Sequence, residues 1–327
     1  MFKKNKIMMW VAVWIVCVGL FSACGNQGNG ITGKEKYSVV CTIFPEYDWV
    51  REVLGERSED FELTLLLDNG VDLHNYQPTA EDIAKLGACD LFIYVGGESD
   101  EWVESALKQV ENPDRQVINL LEVLGDSVKE EELLEGMEAE EEEGEEETEY
   151  DEHVWLSLQN AEICVDAIAA ALSVIDSEAA QTYQQQADSY KEQLTALDQD
   201  YEAAVAQAEQ KTLLFGDRFP FGYMAEDYGL QYLAAFAGCS AETEASFETT
   251  AFLSEKMDEL GLMHICVIEG SDGKLARTII ENTEKKDQDI VSFHSMQSVT
   301  AKEALEGLTY LSLMKENLEA LKRALAS

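Results

Sequence analysis

The chain has 327 residues, which favours two domains, and 46% of them are hydrophobic, which excludes a wholly disordered protein. Lys and Arg number 23 against 65 Asp and Glu, so the formal net charge is −42. Phosphate backbones and anionic lipid head groups would repel such a chain, so no nucleic acid is expected as a partner. Any attachment to a membrane must therefore be hydrophobic or covalent.

The first 36 residues predict an exported protein that is anchored to a membrane. Residues 1–23 read as a signal peptide, because a positively charged start precedes an apolar run and then Ser22 and Ala23. The apolar run is short for a bilayer span of about 20 residues. The sequence Phe-Ser-Ala-Cys resembles a bacterial lipobox, which implies cleavage before Cys24 and lipidation of its thiol. Residues 24–36 are predicted to be a flexible tether on the outer side of the bacterial cell membrane.

Alternating strands and helices then predict an N-terminal α/β lobe over residues 37–175. Continuous apolar runs predict four strands, at 39–44, 61–67, 91–95 and 116–120. Helices are expected between them, at 46–54, after a capping box that begins at Thr79, and at 101–110. Apolar strands separated by helices are typical of a parallel sheet that is covered on both faces.

A Glu-rich stretch at 130–152 interrupts this lobe, and self-repulsion predicts that it is solvated and disordered. It is interpreted either as an inert surface loop or as a weak collector of cations beside a binding site. The five cysteines after Cys24 are widely spaced and contain no Cys-x-x-Cys pair, which argues against a zinc ribbon or a redox motif. Most of them are interpreted as buried small hydrophobic residues.

A long helix is expected within residues 176–210. The stretch 178–207 contains no Gly or Pro and is rich in good helix formers. About 30 helical residues extend about 45 Å, which is longer than one small lobe requires. We therefore expect a rigid helix that connects two lobes.

Alternation resumes in a C-terminal α/β lobe over residues 211–327. The expected strands lie at 212–215, 231–236, 264–268 and 290–293, and the expected helices at 221–228, 247–260, 274–283 and 300–324. The predicted fold is thus α/β, with two lobes that each contain a mainly parallel sheet flanked by helices and are joined by the long helix.

The chain has only four histidines, and their positions differ in kind. His74 follows the second strand, and His294 lies at the carboxyl end of its strand, as does Asp217. Ligands of open α/β sheets bind outside the carboxyl ends of strands, so these three side chains could face one crevice. Neutral imidazole suits zinc and similar divalent metals, although a single histidine in a loop is more often polar surface. His153 follows the acidic stretch, while His264 opens a strand and is interpreted as structural.

Three sequence motifs resemble those of the zinc- and manganese-binding lipoproteins of ABC importers. Gly-Val-Asp-Leu-His-Asn-Tyr-Gln-Pro-Thr at 70–79 is similar to their Gly-x-Asp-Pro-His-x-Tyr-x-Pro-Thr segment. His-Val-Trp-Leu at 153–156 resembles their second ligand segment, and residues 221–230 resemble a third block. The resemblance covers essentially the whole mature chain and implies two α/β lobes joined by a long helix, with a metal ion between them.

The resemblance also implies a set of metal ligands. His74 and His153 match the first two ligands of the family, and His294 occupies the fourth position. Arg218 stands at the third position and cannot bind a metal, because its guanidinium stays protonated. Either the neighbouring Asp217 substitutes for it, or Arg218 pairs with a carboxylate and the site has one ligand fewer.

The expected function is that of an extracytoplasmic solute-binding lipoprotein, a monomer and not an enzyme, that delivers a divalent metal to an ABC-type permease. Imidazole ligands favour zinc, while a Glu-rich loop where the family is often His-rich permits manganese. Glu244 is expected either to face the cleft or to stabilise the dipole of the helix at 247. The alternatives are a zinc hydrolase, for which the chain has no His-Glu-x-x-His motif, and a metal-binding surface adhesin.

Overall fold

Two four-stranded parallel sheets organise the computed structural model, which describes residues 36–110, 112–138, 149–240 and 244–326. The predicted signal peptide, the lipidated Cys24 and the tether up to residue 35 lie outside the described residues. The sheets and the long helix between them confirm the predicted α/β fold class.

The first sheet has the strand order β2-β1-β3-β4, and all of its pairs are parallel. Its strands are β1 (Tyr37–Cys41), β2 (Phe61–Leu65), β3 (Leu91–Tyr94) and β4 (Gln116–Asn119). The associated helices are α1 (Phe44–Leu54), α2 (Ala80–Ala88), α3 (Trp102–Gln109) and α4 (Leu120–Leu124). The capping box predicted at Thr79 is confirmed, since the Thr79 hydroxyl accepts from the N–H of Asp82 and the Asp82 carboxylate accepts in return.

Two helices, α5 (Leu158–Ile175) and α6 (Ala180–Gln207), follow the first sheet and pack against each other. The 28 residues of α6 extend about 42 Å, as the sequence predicts. Its buried side chains recur every three or four residues from Tyr183 to Val205, and they pack on α1 and α5. By length and composition α5 could cross a membrane, but half of it is buried inside the fold.

The second sheet has the order β6-β5-β7-β8 and is again parallel. Its strands are β5 (Thr212–Phe219), β6 (Gln231–Ala237), β7 (His264–Ile268) and β8 (Asp289–Phe293). Its helices are α7 (Gly222–Tyr228), α8 (Phe247–Leu260), α9 (Lys274–Asn282), α10 (Ala301–Leu305) and α11 (Tyr310–Ala324).

The single helix predicted over 300–324 is wrong, because the chain breaks between α10 and α11. Gly307 adopts a φ of +100°, and a second capping box begins at Thr309. The backbone N–H of Tyr310 then donates to Asp48 Oδ2 at 2.6 Å, which fixes the start of α11 against α1.

The two halves share one continuous apolar core. The side chains of Trp155 and Tyr310 are fully buried within it. Trp155 Nε1 donates to the carbonyl of Ser295 at 2.8 Å, and the Tyr310 hydroxyl donates to the carbonyl of Trp155 at 2.6 Å. Because this core runs through both halves, the lobe boundaries at 175 and 211 stay a prediction.

The ends of the acidic stretch are ordered, which corrects the disorder predicted for the whole of 130–152. Glu130 pairs with Tyr150 in an antiparallel bridge, and the N–H of Glu138 donates to the carbonyl of Ala235 at 2.9 Å. Self-repulsion is overcome here because backbone groups and carboxylates find partners in the second half of the chain. Residues 139–148 lie outside the described residues.

The buried carboxyl group of Glu46 should make stability depend on pH. It accepts hydrogen bonds from the N–H groups of Thr42 (2.8 Å) and Ile43 (3.3 Å), and burial, with a contribution from Asp100, raises its pKa to about 8. The unfolded chain releases this proton near pH 4.3, so the folded chain holds one proton more up to about pH 8. Its stabilising effect is complete below the unfolded pKa and is lost as the pH rises through the folded pKa.

We expect the free energy of unfolding to fall by on the order of 5 kcal/mol across that interval because of Glu46. Glu46→Gln, which stays neutral, should flatten that part of the profile. Urea unfolding at several pH values measures the effect, with the exposed Glu56→Gln as the control. Parallel profiles for wild type and Glu46→Gln would contradict it.

Candidate metal centre

Two histidines from separate loops come together at the carboxyl edge of the first sheet. His74 lies on a short 3-10 turn, Leu73–Asn75, and its N–H donates to the capping carboxylate of Asp72 at 3.1 Å. His153 is fully buried and precedes a second 3-10 turn, Val154–Leu156. The two Nε2 atoms lie 3.2 Å apart. A tetrahedral zinc ion with bonds of about 2.0–2.1 Å holds two nitrogen ligands about 3.3 Å apart, so this spacing fits zinc.

The opposite ring nitrogens are held by hydrogen bonds that orient both imidazoles. His153 Nδ1 lies 2.8 Å from Asp151 Oδ1, which also accepts from the His153 N–H at 2.9 Å. His74 Nδ1 pairs with Ser99 Oγ at 2.8 Å and lies 3.6 Å from Glu152 Oε2. Metal-binding histidines are usually oriented in this way by a carboxylate or hydroxyl on the other nitrogen.

The side chain of Gln297, in the loop after β8, faces both Nε2 atoms. In the orientation that pairs both ends of its carboxamide, the oxygen accepts from His153 Nε2 and, at 3.3 Å, from His74 Nε2. The nitrogen then donates to Asp72 Oδ2 at 2.9 Å. Gln297 therefore brings a neutral oxygen from the second half of the chain to the point where the two rings converge.

The two imidazoles differ in their affinity for protons. Burial, and then the neighbouring charge of His153, lower the pKa of His74 to about 3. Burial also disfavours the charged form of His153, but the hydrogen bond and charge of Asp151 outweigh it and raise the pKa of His153. His74 is thus neutral and suited to bind a metal, and protons compete with an ion more strongly at His153 than at His74.

A third side chain with a ligating atom joins the two histidines. The ligating atoms of His74, His153 and Cys239 all lie within 4.8 Å of one another. Cys239 is partly exposed, and burial together with the charge of Glu131 raises the pKa of its thiol. The sequence analysis interpreted most of the five cysteines as buried hydrophobic residues and did not single out Cys239. Its position two residues after β6, at the carboxyl edge of the second sheet, is the signal that could have singled it out.

The other two predicted ligands lie elsewhere in the structure. His294 Nδ1 accepts from the N–H of Met296 at 3.0 Å and lies 3.4 Å from Glu269 Oε1. The carboxylate of Asp217 accepts from the N–H of Arg218 at 2.9 Å and from that of Ile268 at 3.4 Å. Neither belongs to the group of three side chains, so their role as ligands stays a prediction.

Arg218 pairs with a carboxylate, which is one of the two arrangements expected from its position. Its Nη2 lies 2.6 Å from Asp72 Oδ2, and its Nη1 donates to the carbonyl of Ser240 at 3.3 Å. The ion pair joins the two halves beside the histidines. Because Asp72 caps the turn that carries His74, Arg218 contacts a residue that positions a candidate ligand.

A cavity of about 790 Å³ opens beside this ion pair and is lined by both halves of the chain. Its carboxylates outnumber its cations, and the charged lining residues are Asp72, Asp217, Glu244, Glu269, Asp272, Arg218 and Lys274. An excess of negative charge concentrates cations in such a cleft.

Comparisons with known proteins show what the chain is similar to. Residues 39–324 match the family model described as zinc-uptake complex component A, periplasmic. The zinc-binding lipoprotein AdcA of Streptococcus pneumoniae is 31% identical over 313 residues, which are 94% of this chain and 59% of that protein. The chain thus spans about three fifths of the length of such relatives. The high-affinity zinc uptake system protein ZnuA of Bacillus subtilis is 30% identical over 335 residues and 99% of each chain.

Solved structures show the same fold. The Zn(II)-bound ZnuA-like domain of Streptococcus pneumoniae AdcA is 29% identical and matches with a TM-score of 0.69, over 89% of this chain and 100% of that one. The metal-dependent lipoprotein YcdH of Bacillus subtilis is 28% identical, with a TM-score of 0.71 over 89% and 99%. The described part of the chain therefore has the architecture of these metal-dependent proteins along nearly its whole length.

Proposed function

Because the chain belongs to the family of zinc-uptake complex component A, we propose that it captures a divalent metal ion, with zinc preferred to manganese, and delivers it to an ABC-type importer. The observation that carries the proposal is the pair of imidazoles whose Nε2 atoms lie 3.2 Å apart. Their Nδ1 atoms are held by Ser99 and Asp151, so both Nε2 atoms are directed to one point, which the Gln297 carboxamide also faces.

His74 and His153 are the proposed ligands in the first half of the chain. Imidazole favours zinc over manganese, which prefers oxygen ligands. His294 and Asp217 would join them only if the loop after β8 and the irregular part of β5 shift, since both side chains have other partners.

The proposed location is the outer side of a bacterial cell membrane, with a lipid anchor at Cys24 and a membrane permease as partner. The signal-like start of the chain and the lipobox support this location. The relatives are named as lipoproteins and as components of zinc uptake systems, which supports the permease. We propose a monomer that binds its ligand without turnover, in preference to the hydrolase and the adhesin.

Purified full chain, stripped with a chelator, should bind one zinc ion per molecule and less manganese. Ligand binding to the folded state stabilises it by RT ln(1 + [L]/Kd), which is about 4 kcal/mol at a thousandfold excess over Kd. Elemental analysis and thermal unfolding with each metal measure both quantities. Absence of any zinc-dependent stabilisation would refute the proposal, and metal-dependent hydrolysis of generic esters or peptides would favour the hydrolase.

A further inference from the structure

We infer that Cys239 is the third metal ligand, so that its Sγ binds the captured ion together with the Nε2 atoms of His74 and His153. The ligand set would then contain two imidazoles and one thiolate, and the site would select thiophilic divalent ions. This inference deepens the proposed function and rests on it.

The distances allow such a site with little movement. A tetrahedral zinc ion, with zinc–nitrogen bonds of about 2.0–2.1 Å and a zinc–sulfur bond of about 2.3 Å, holds nitrogen and sulfur about 3.6 Å apart. The three ligating atoms already lie within 4.8 Å of one another. Each nitrogen–sulfur distance therefore needs to close by at most about 1.2 Å, which a side-chain rotation supplies.

The loop that carries Cys239 packs against the ring of His153. A Cβ atom at Gly238 would lie 3.1 Å from Cε1 and Nδ1 of the His153 ring and 3.0 Å from the carbonyl oxygen of Phe219. The backbone at 238 therefore packs on the imidazole, and the lack of a side chain permits this approach. The N–H of Cys239 donates to Glu131 Oε1 at 2.9 Å, which fixes the next residue.

The positions that the resemblance offers for the remaining ligands are engaged elsewhere in the described part of the chain. Arg218 stands where the resemblance places a ligand and is paired with Asp72, and His294 lies beside Glu269. Cys239 instead presents a soft sulfur atom beside the two imidazoles. Thiolate ligands favour zinc over manganese more strongly than carboxylates do. A thiolate from Cys239 in place of a carboxylate would therefore make the site more selective for zinc.

Cobalt substitution tests the sulfur bond directly. With Co²⁺, the full wild-type chain should show a thiolate-to-metal charge-transfer band in the near ultraviolet. Cys239→Ser should lose this band, while Cys89→Ser should keep it, because Cys89 is buried at the end of α2 and its Sγ donates to the carbonyl of Leu86. Zinc affinity of Cys239→Ser should fall by at least about 100-fold, as for loss of any direct ligand, whereas manganese affinity should change less than about threefold.

A second readout does not depend on the folding of the variant. In the wild-type chain, zinc should protect the thiol of Cys239 from alkylation, measured by mass spectrometry of its peptide, and magnesium should not. Unchanged alkylation with zinc bound, or a Cys239→Ser variant that keeps wild-type zinc affinity, would overturn the inference and leave the proposed function intact. A wild-type chain that binds neither zinc nor cobalt would instead overturn the proposed function, and this inference with it.

Discussion

Replacing His153 with alanine should weaken zinc binding by at least about 100-fold, since removal of a metal ligand costs more than the 10- to 100-fold typical of its supporting partners. The His153 ring is fully buried, and its Nε2 lies 3.2 Å from that of His74. Alanine leaves His74 as the sole imidazole at this point. Competition with a chromogenic chelator measures the affinity.

His294→Ala is the matched control, because it removes an imidazole that contacts Met296 and Glu269 instead of the pair. Its zinc affinity should stay within about threefold of wild type if the ion binds where the two Nε2 atoms meet. Equal losses in both variants would show that His294 moves in to bind the ion. Wild-type affinity in His153→Ala would remove the proposed ligand pair.

Substitution of Arg218 should strengthen metal binding, with Arg218→Gln raising zinc affinity by about tenfold or more. The guanidinium of Arg218 pairs with Asp72. Burial lowers the pKa of His74, and the positive charge of Arg218 adds to this effect. The same charge opposes a metal ion beside His74. A unit charge and a divalent ion 8 Å apart repel by about 1 kcal/mol at the dielectric constant of water and about 4 kcal/mol at an effective constant of 20.

The loss of the ion pair should lower the stability of the variant. The side chains of Arg218 and Asp72 are only 16% and 20% exposed, so this loss should exceed the about 0–1 kcal/mol of a fully exposed pair. Arg218→His should raise affinity further, because it restores an imidazole at the position where the resemblance places the third ligand. Lys274→Gln is the control, since it removes an exposed cation that lines the same cavity. Unchanged or weaker zinc binding in Arg218→Gln would show that the ion pair holds the site together.

Local patterns predicted most of the fold. Apolar runs marked each of the eight strands in the described ranges, and β7 and α8 begin and end where the sequence predicts. The break before α11 escaped prediction although Gly307 and Thr309 mark it locally, and the contact between Asp48 and the N–H of Tyr310, 262 residues apart, fixes where α11 begins. The ordered ends of the acidic stretch escaped prediction because their partners lie about 100 residues further along the chain.

The candidate site was predicted only in part. His74 and His153 were found because each lies in a distinctive sequence motif. Gln297 and Cys239 do not lie in such a motif, and only the packing of strand ends from both sheets shows that they reach the histidines. Side chains brought together by tertiary structure cannot be read from spacing along the chain.

The shared core has a consequence for how an ion leaves. Trp155 and Tyr310 lock segments of both halves into one apolar interior, and a wide hinge motion would expose that interior to water. Exit is therefore expected through displacement of the strand-end loops that carry His74 and Gln297. A receiving transporter would then have to displace only these loops, while the shared core stays rigid.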